Sequence, residues 1–288
     1  MSWQLLLIGY LVLGTASYLL RRNLAVTFAE HNKLVNGFFF LGVLYPLGLI
    51  VAAISSPNLN IGWFNLALLL TGSIIWPVIN ILAYRANKDV DAGLYTILNN
   101  ITPIVTIVTA WVLLNEKLNE QQLLGAVVVL VSAFLVTLPH LQKRAASRNT
   151  GLIIALASVT LLGLAIVYER YMLTRMDFGA YLVYGWGAQT LWMTIIAWHE
   201  RHNLKLLGRK KYKNQVLGYG VTNAFKGLCF VGALSLSGNA SLVSAFASFM
   251  SVSVVIAAFV FLKEREWLWL KVASAVLGTT GLIILNTG

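Results

Sequence analysis

Charge is what this chain has least of. Of its 288 residues, 11% are Asp, Glu, Lys or Arg, where a soluble domain carries about 25%. So little charge cannot cover a water-facing surface, and with a mean hydropathy of +0.77 the natural solvent is a bilayer. Acids are the scarcer sign, 10 in all, and none falls at the centre of an apolar run. The paired carboxylates that acid–base catalysis uses are therefore missing. The single cysteine, Cys229, excludes an internal disulfide and, inside an apolar run, reads as a small buried hydrophobe. His199-Glu200-Arg201-His202 is one residue short of the spacing that holds zinc on a helix, and His31 and His140 lie in other gaps. No glycine-rich phosphate loop and no Ser/His/Asp set can be assembled. An enzyme is not expected, nor a cofactor or a metal.

What the chain does have is ten apolar runs, at 3–20, 34–54, 62–84, 91–114, 121–139, 152–172, 180–198, 216–236, 240–262 and 267–285. Each can cross roughly 30 Å of hydrocarbon at about 20 residues per span. The first has no basic residue ahead of it, Arg21-Arg22 behind it and no small-x-small cleavage site, so it reads as a retained span rather than a signal peptide. The gaps are short and leave no room for a soluble domain. The longest, 199–215, is polar and basic.

The net charge of +11 sits in those gaps, which suits topology signals and anionic lipid headgroups better than nucleic acid. Nearly all the basic residues fall in the odd-numbered gaps; the even ones hold Lys117, with Arg170 and Arg175 close by. The positive-inside rule then puts the odd gaps in the cytoplasm and both termini outside a bacterial inner membrane.

The organising stretch is 91–138, because it returns. A shift of 148 residues lays Glu116 on Glu264 and Lys117 on Arg265, and Gly93, Thr96, Asn100 and Pro103 on Ser241, Ser244, Ser248 and Ser251. Those four positions step by three and four, one face of an α-helix. Leu13-Gly14-Thr15-Ala16 likewise matches Leu162-Gly163-Leu164-Ala165, and Arg21 falls on Arg170 at a shift of 149. Residues 1–143 and 149–288 are thus expected to be two five-helix repeats. Five is odd, so the second enters the membrane from the opposite side.

Pro103, the segment Trp111-Val112-Leu113-Leu114-Asn115-Glu116-Lys117-Leu118, the helix start Leu124-Gly125-Ala126 and the echo Phe261-Leu262-Lys263-Glu264-Arg265 resemble the EamA-type members of the drug/metabolite transporter superfamily. The resemblance covers nearly the whole chain. It implies an all-α integral membrane protein of ten transmembrane helices in two inverted five-helix repeats, moving a small metabolite such as an amino acid. Two features depart from the family: Ser251 stands where the first repeat has Pro103, and the charge bias puts outside the termini that the family is drawn with in the cytoplasm. The small multidrug relatives use a glutamate in the first span to trade protons for cations. The first run here has no acid, which argues against that mechanism.

Lys226 is the most informative single residue. It lies about ten residues into its run, roughly 15 Å deep at 1.5 Å per residue, too deep to snorkel. A charge there costs about 2.5–3.5 kcal/mol on insertion scales, so it should face protein or a wet cavity. Its functional reading is an anchor for a carboxylate; its structural one is a lysine capped by backbone carbonyls. Asn223, one turn earlier, shares its face. Pro103 removes a backbone donor and frees a carbonyl near Asn99, which makes Thr96, Asn99 and Asn100 candidates for a substrate wall. The serine stripe suits close packing, with Ser244 and Ser248 as candidate contacts. Trp76 and Asn80 are one turn apart and offer a wall with a polar handle. Tyr10 and Trp186 are weaker candidates of the same kind. Tyr84 reads as interfacial belt, and Glu169 as the ion-pair partner of Arg170.

The expectation is an inner-membrane carrier working by alternating access, its chamber walled by spans one, three, four, six, eight and nine, rocking about Pro103 and Ser251. Its partners would be a small solute and the lipid bilayer, with no nucleic acid; a homodimer is compatible. The competing readings are a lipid-handling protein, such as a flippase or transferase accessory, and an assembly subunit without a cavity.

Overall fold

A computed structural model describes residues 2–28, 31–89, 95, 98–143, 149–254, 257 and 268–287. Among them there is no strand. The helices are α1 (Trp3–Thr27), α2 (Asn32–Ser55), α3 (Gly62–Gly72 continued as Ile75–Asp89), α4 (Ile101–Leu114), α5 (Glu120–Lys143), α6 (Asn149–Leu173), α7 (Phe178–Ala197), α8 (Lys210–Ser237), α9 (Ala240–Val254) and α10 (Leu268–Thr287). Within the described residues four spans are long and apolar enough to cross a membrane: Trp3–Arg21, Asn32–Ser55, Gly62–Ala86 and Thr150–Leu173. The basic gap at 199–215 is itself helical, with a 3₁₀ stretch Trp198–Asn203, a turn Leu204–Leu207 and the first residues of α8.

The outside is oily, as the composition requires. Leu5, Ile8 and Val12 on α1 are exposed, as are Ile54, Trp63, Val112 and Leu113. The other face of α1, stepping through Tyr10, Gly14, Ser17 and Arg21, turns inward. Such a large apolar exterior is foreign to a soluble monomer and suits lipid.

The ends of the helices have local causes. Asn115 (φ 53°) and Gly238 (φ +70°) close α4 and α8 in left-handed conformations, which Asn tolerates and Gly prefers. Asn119 opens α5 with a capping box: Gln122 N donates to Asn119 Oδ1 at 2.7 Å and Asn119 N to Gln122 Oε1 at 3.1 Å. Asn239 caps α9 by accepting from Leu242 N at 3.1 Å.

Three helices break in mid-course. In α2 one π-helical turn, Phe39–Leu44, widens the coil. In α3, Pro77 has no N–H for the Ser73 carbonyl one turn back, and Trp76 N takes it at 3.3 Å. The α9 coil tightens at Ser248-Phe249, where Phe249 N reaches Phe246 O and Ser251 N reaches Ser248 O, each at 3.1 Å. A fourth irregularity lies at Asn100, where the chain turns just before α4. Asn100 and Ser248 are the positions that the shift of 148 residues lays together, so the second copy breaks there without a proline.

Packing joins the front of the chain to the back. The main pairs are α1 with α8, α3 with α6, α2 with α7, α5 with α10 and α4 with α9, and α4 also packs along α6. Exchanging each helix of the first five pairs for the one five places along maps those pairs onto themselves. The directions follow from the contacts. Gly9 faces Cys229 while Leu6 faces Gly232 and Leu20 faces Gly218, so α1 and α8 are antiparallel. Gly125 lies against Leu285, and Gly278 against Ser132, two antiparallel contacts whose members correspond at one sequence spacing. Thr102 donates to Val159 O at 3.1 Å and Thr106 to Gly163 O at 3.4 Å, so α4 and α6 run parallel.

Candidate functional site

Eight helices, α1–α4 and α6–α9, surround a cavity of about 210 Å³; α5 and α10 pack on each other outside it. Two helices join the six expected: the widened turn of α2 brings Phe39, Phe40 and Leu44 to the wall, and α7 brings Trp186 and Gln189. The cavity is smaller than the roughly 300–1,000 Å³ of drug-sized sites.

Of the residues expected at a site, Lys226, Asn223, Asn99, Trp76, Asn80, Ser244, Ser248, Pro103 and Ser251 all border this one cavity, with Tyr10 beside them. Lys226 is half-buried and lies opposite Gly14, where a side chain would meet the lysine Cδ at 3.4 Å. Its Nζ stands 6.0 Å from the centre of the Tyr10 ring, a weak cation–π contact. Among the described residues no carboxylate pairs with it. Asn223 accepts from Ser17 Oγ at 3.2 Å, and its own amide reaches Tyr219 OH at 3.5 Å. Asn80 donates to Trp76 O at 2.9 Å, stitching the segment where α3 is broken.

Asn100 differs from expectation. It is 1% exposed and does not border the cavity; its Oδ1 accepts from Ser251 Oγ at 2.8 Å. The irregular turn at Asn100 sends Asn99 to the wall and Asn100 between α4 and α9. Thr96 lies outside the described residues. Ser241 is buried away from the wall, in keeping with close packing.

Two charged residues that the sequence pattern places elsewhere belong to the cavity. Arg21 reads as a loop charge, but α1 continues past it, and it borders the chamber. Its guanidinium lies 4.9 Å over the Tyr84 ring, and among the described residues neither buried Nε nor Nη2 meets an acceptor. Tyr84 is thus buried rather than part of an interfacial belt. The signal for Arg21 is the α1 seam Tyr10–Gly14–Ser17, which reaches it one turn later. Glu169, expected to pair with Arg170, instead faces the chamber at 2% exposure. Tyr181 OH donates to its Oε1 at 2.7 Å, and Gln189 donates to Tyr181 OH at 3.3 Å. Leu162, Ile166 and Glu169, spaced by four and three, carry that wall of α6.

Arg170 is bound elsewhere. Its Nε donates to Glu116 Oε1 at 3.0 Å and its Nη2 to Gly238 O at 2.7 Å, while Ala240 N donates to Glu116 Oε2 at 2.7 Å. One carboxylate therefore holds an arginine of α6 and the first amide of α9 together, on a helix N-terminus that favours negative charge. Nearby on the same face, Asn58 N donates to Asp177 Oδ2 at 3.0 Å and Tyr184 OH to Leu59 O at 3.1 Å. Hydrogen bonds thus tie several helix ends together at this end of the molecule.

A family model, that of the EamA-like transporter family, matches residues 2–138 and again 149–287. No curated protein matches the chain. Among solved structures, one described only as "Crystal structure of protein" is similar with a TM-score of 0.65 and 14% identity, covering 96% of this chain and 95% of that one. At that identity the likeness shows the fold alone.

Proposed function

The chain belongs to the EamA-like transporter family, whose model covers it in two stretches, and on that premise we propose that it carries a small anionic or zwitterionic metabolite across a bacterial inner membrane through the chamber around Lys226. The family makes it a multi-pass membrane transporter of small solutes. The finer reading rests mainly on one observation: Lys226 borders a cavity whose mainly apolar wall carries a few polar side chains, with no carboxylate pairing it among the described residues. An uncompensated ammonium in the membrane interior is expensive; a solute carboxylate removes that cost while it is bound.

Residues 1–143 and 149–288 act as two five-helix halves of opposite orientation. The antiparallel pairing of α1 with α8, α2 with α7 and α5 with α10 supports this. Alternating access follows when the halves rock about Pro103 and Ser251, each three residues or fewer from a turn, at Asn100 and at Ser248-Phe249, and joined by the Asn100–Ser251 bond. On this reading the Glu116–Arg170 hydrogen bonds hold one end closed. The other end, on the face of the basic segment 198–209, carries Arg21; by charge bias that face is cytoplasmic.

The test is uptake of labelled amino and organic acids by purified protein in liposomes. Lys226→Ala should cut transport at least tenfold while the protein remains folded. Transport at the wild-type rate would remove Lys226 from the site.

A further inference from the structure

The exposed apolar stripes of α7 and α8 end on charge. On α7, Leu191 and Ile195 are exposed, and Trp198 follows them at steps of four and three. One turn of the 3₁₀ stretch later comes Arg201, also exposed. On α8, Phe225, Val221 and Leu217 are exposed at steps of four, and the next step back along that stripe is exposed Lys213. Each stripe passes from hydrocarbon side chain to cation within one turn. A helix that crosses a bilayer makes this change where acyl chains give way to headgroups. Segment 198–213 joins the two stripes at that level.

The segment shows its charge on one side. Arg201, Lys205, Arg209 and Lys213 are exposed, as are His199 and His202. Among the described residues none of those four cations pairs with a carboxylate. Glu200, the one acid between 198 and 213, turns inward: its Oε2 lies 3.9 Å from Nδ1 of His31, just before α2, and its side chain is 17% exposed. Leu207 is buried and Leu206 packs on the core. The Tyr212 ring meets that of Phe28, at the end of α1, edge-on at 5.1 Å. Apolar side chains and the lone acid thus hold the segment to α1 and α2, and the cations are left facing out. Arg201 lies 4.9 Å over the Trp198 ring and donates to Trp198 O at 3.2 Å, which fixes one cation beside an interfacial tryptophan.

The opposite face is built differently. Arg170 is bound to Glu116 and Gly238 O, Arg175 lies 4.5 Å over the Tyr171 ring, and Lys117 is exposed by itself in its turn.

We propose that segment 198–213 is a docking surface for anionic glycerophospholipid, and that it selects a headgroup of net negative charge over a zwitterionic one. The phosphodiesters meet Arg201, Lys205, Arg209 and Lys213, and the acyl chains lie along the exposed stripes of α7 and α8. Cations without a neighbouring acid repel one another, and an anionic headgroup relieves that repulsion. A zwitterionic headgroup brings its own cation and relieves it less. This surface is separate from the Lys226 chamber and does not depend on what the chamber carries.

The test is the lipid retained by the full-length chain in detergent micelles doped equally with phosphatidylglycerol and phosphatidylcholine, read by native mass spectrometry. Each cation at a headgroup layer adds about fivefold to the attraction, so wild-type protein should retain phosphatidylglycerol at least tenfold over phosphatidylcholine. Replacing Arg201, Lys205, Arg209 and Lys213 together by Gln should bring that ratio within about twofold of unity. Lys117→Gln with Arg175→Gln, on the other face, should leave it unchanged. If the fourfold variant does not fold, Arg201→Gln and Lys213→Gln decide singly, each cutting the ratio about threefold. A ratio that survives the changes in 198–213 overturns the proposal. So does an equal fall in the Lys117 and Arg175 variant, which would make the preference a matter of net charge. Loss of the ratio in about 10 mM inorganic phosphate, but not in sodium chloride of the same ionic strength, would assign the surface to a soluble oxyanion and overturn the lipid.

Discussion

Arg170 and Arg21 are corresponding residues at a shift of 149 positions, yet their surroundings are opposite. Arg170 spends its donors on Glu116 and on the carbonyl that ends α8, and the same glutamate caps α9. Arg21 stacks on Tyr84 and, among the described residues, leaves Nε and Nη2 without acceptors inside the chamber. A pseudo-symmetric chain has built one arginine into a hydrogen-bonded scaffold and left the other on the cavity wall. The satisfied charge ties helix ends together, and the unsatisfied one is the one that the transport reading assigns to a solute.

The comparison breaks first, and hardest, at Glu116. Glu116→Ala strands Arg170 and uncaps α9. Losing one partner of a buried pair costs about 3–5 kcal/mol, and with the pair slightly exposed, at 14% and 12%, about 3 kcal/mol is expected from thermal unfolding in detergent. Arg21→Ala should behave in the opposite way, changing stability by less than about 1 kcal/mol while weakening competition by an anionic solute about tenfold. Equal destabilisation by Arg21→Ala and Arg170→Ala would erase the distinction between the two ends. The smallest effect belongs to the bond between α4 and α9: Ser251→Ala should cost about 1 kcal/mol, the worth of one hydrogen bond, and shift the balance between open and closed forms more than it shifts stability. Ser248→Ala, which loses only a bond to Ala245 O in its own helix, should be close to neutral and serves as its control.

Much of the chamber is legible in the sequence. Lys226, Asn223, Trp76 and Asn80 sit deep in apolar runs, and a polar residue there has few places to point but inward. Pro103 marks the neighbourhood of a break as well, although the turn itself lies three residues earlier, at Asn100. Three things are not legible. Arg21 looks like a loop charge because hydropathy falls at Leu20, while α1 keeps its helical hydrogen bonds to Thr27. Glu169 has an obvious sequence neighbour in Arg170, and only tertiary structure reveals that adjacent helical residues face different ways. The turn at Asn100 exchanges the roles of two adjacent asparagines, and the π turn at Phe39–Leu44 brings α2 into the wall; hydropathy averages over both.

The central claim is a wet chamber at Lys226, reached from the Arg21 end while the Glu116–Arg170 end is closed. The direct measurement is thiol accessibility in liposomes of known orientation, with Cys229→Ser removing the native thiol and Ala247→Cys introducing one on the chamber wall that Lys226 shares. The account predicts modification by a membrane-impermeant thiol reagent from the face that bears segment 198–209, and slower modification from that face when a transported solute is present. Modification from neither face, or from the Glu116 face alone, would contradict it.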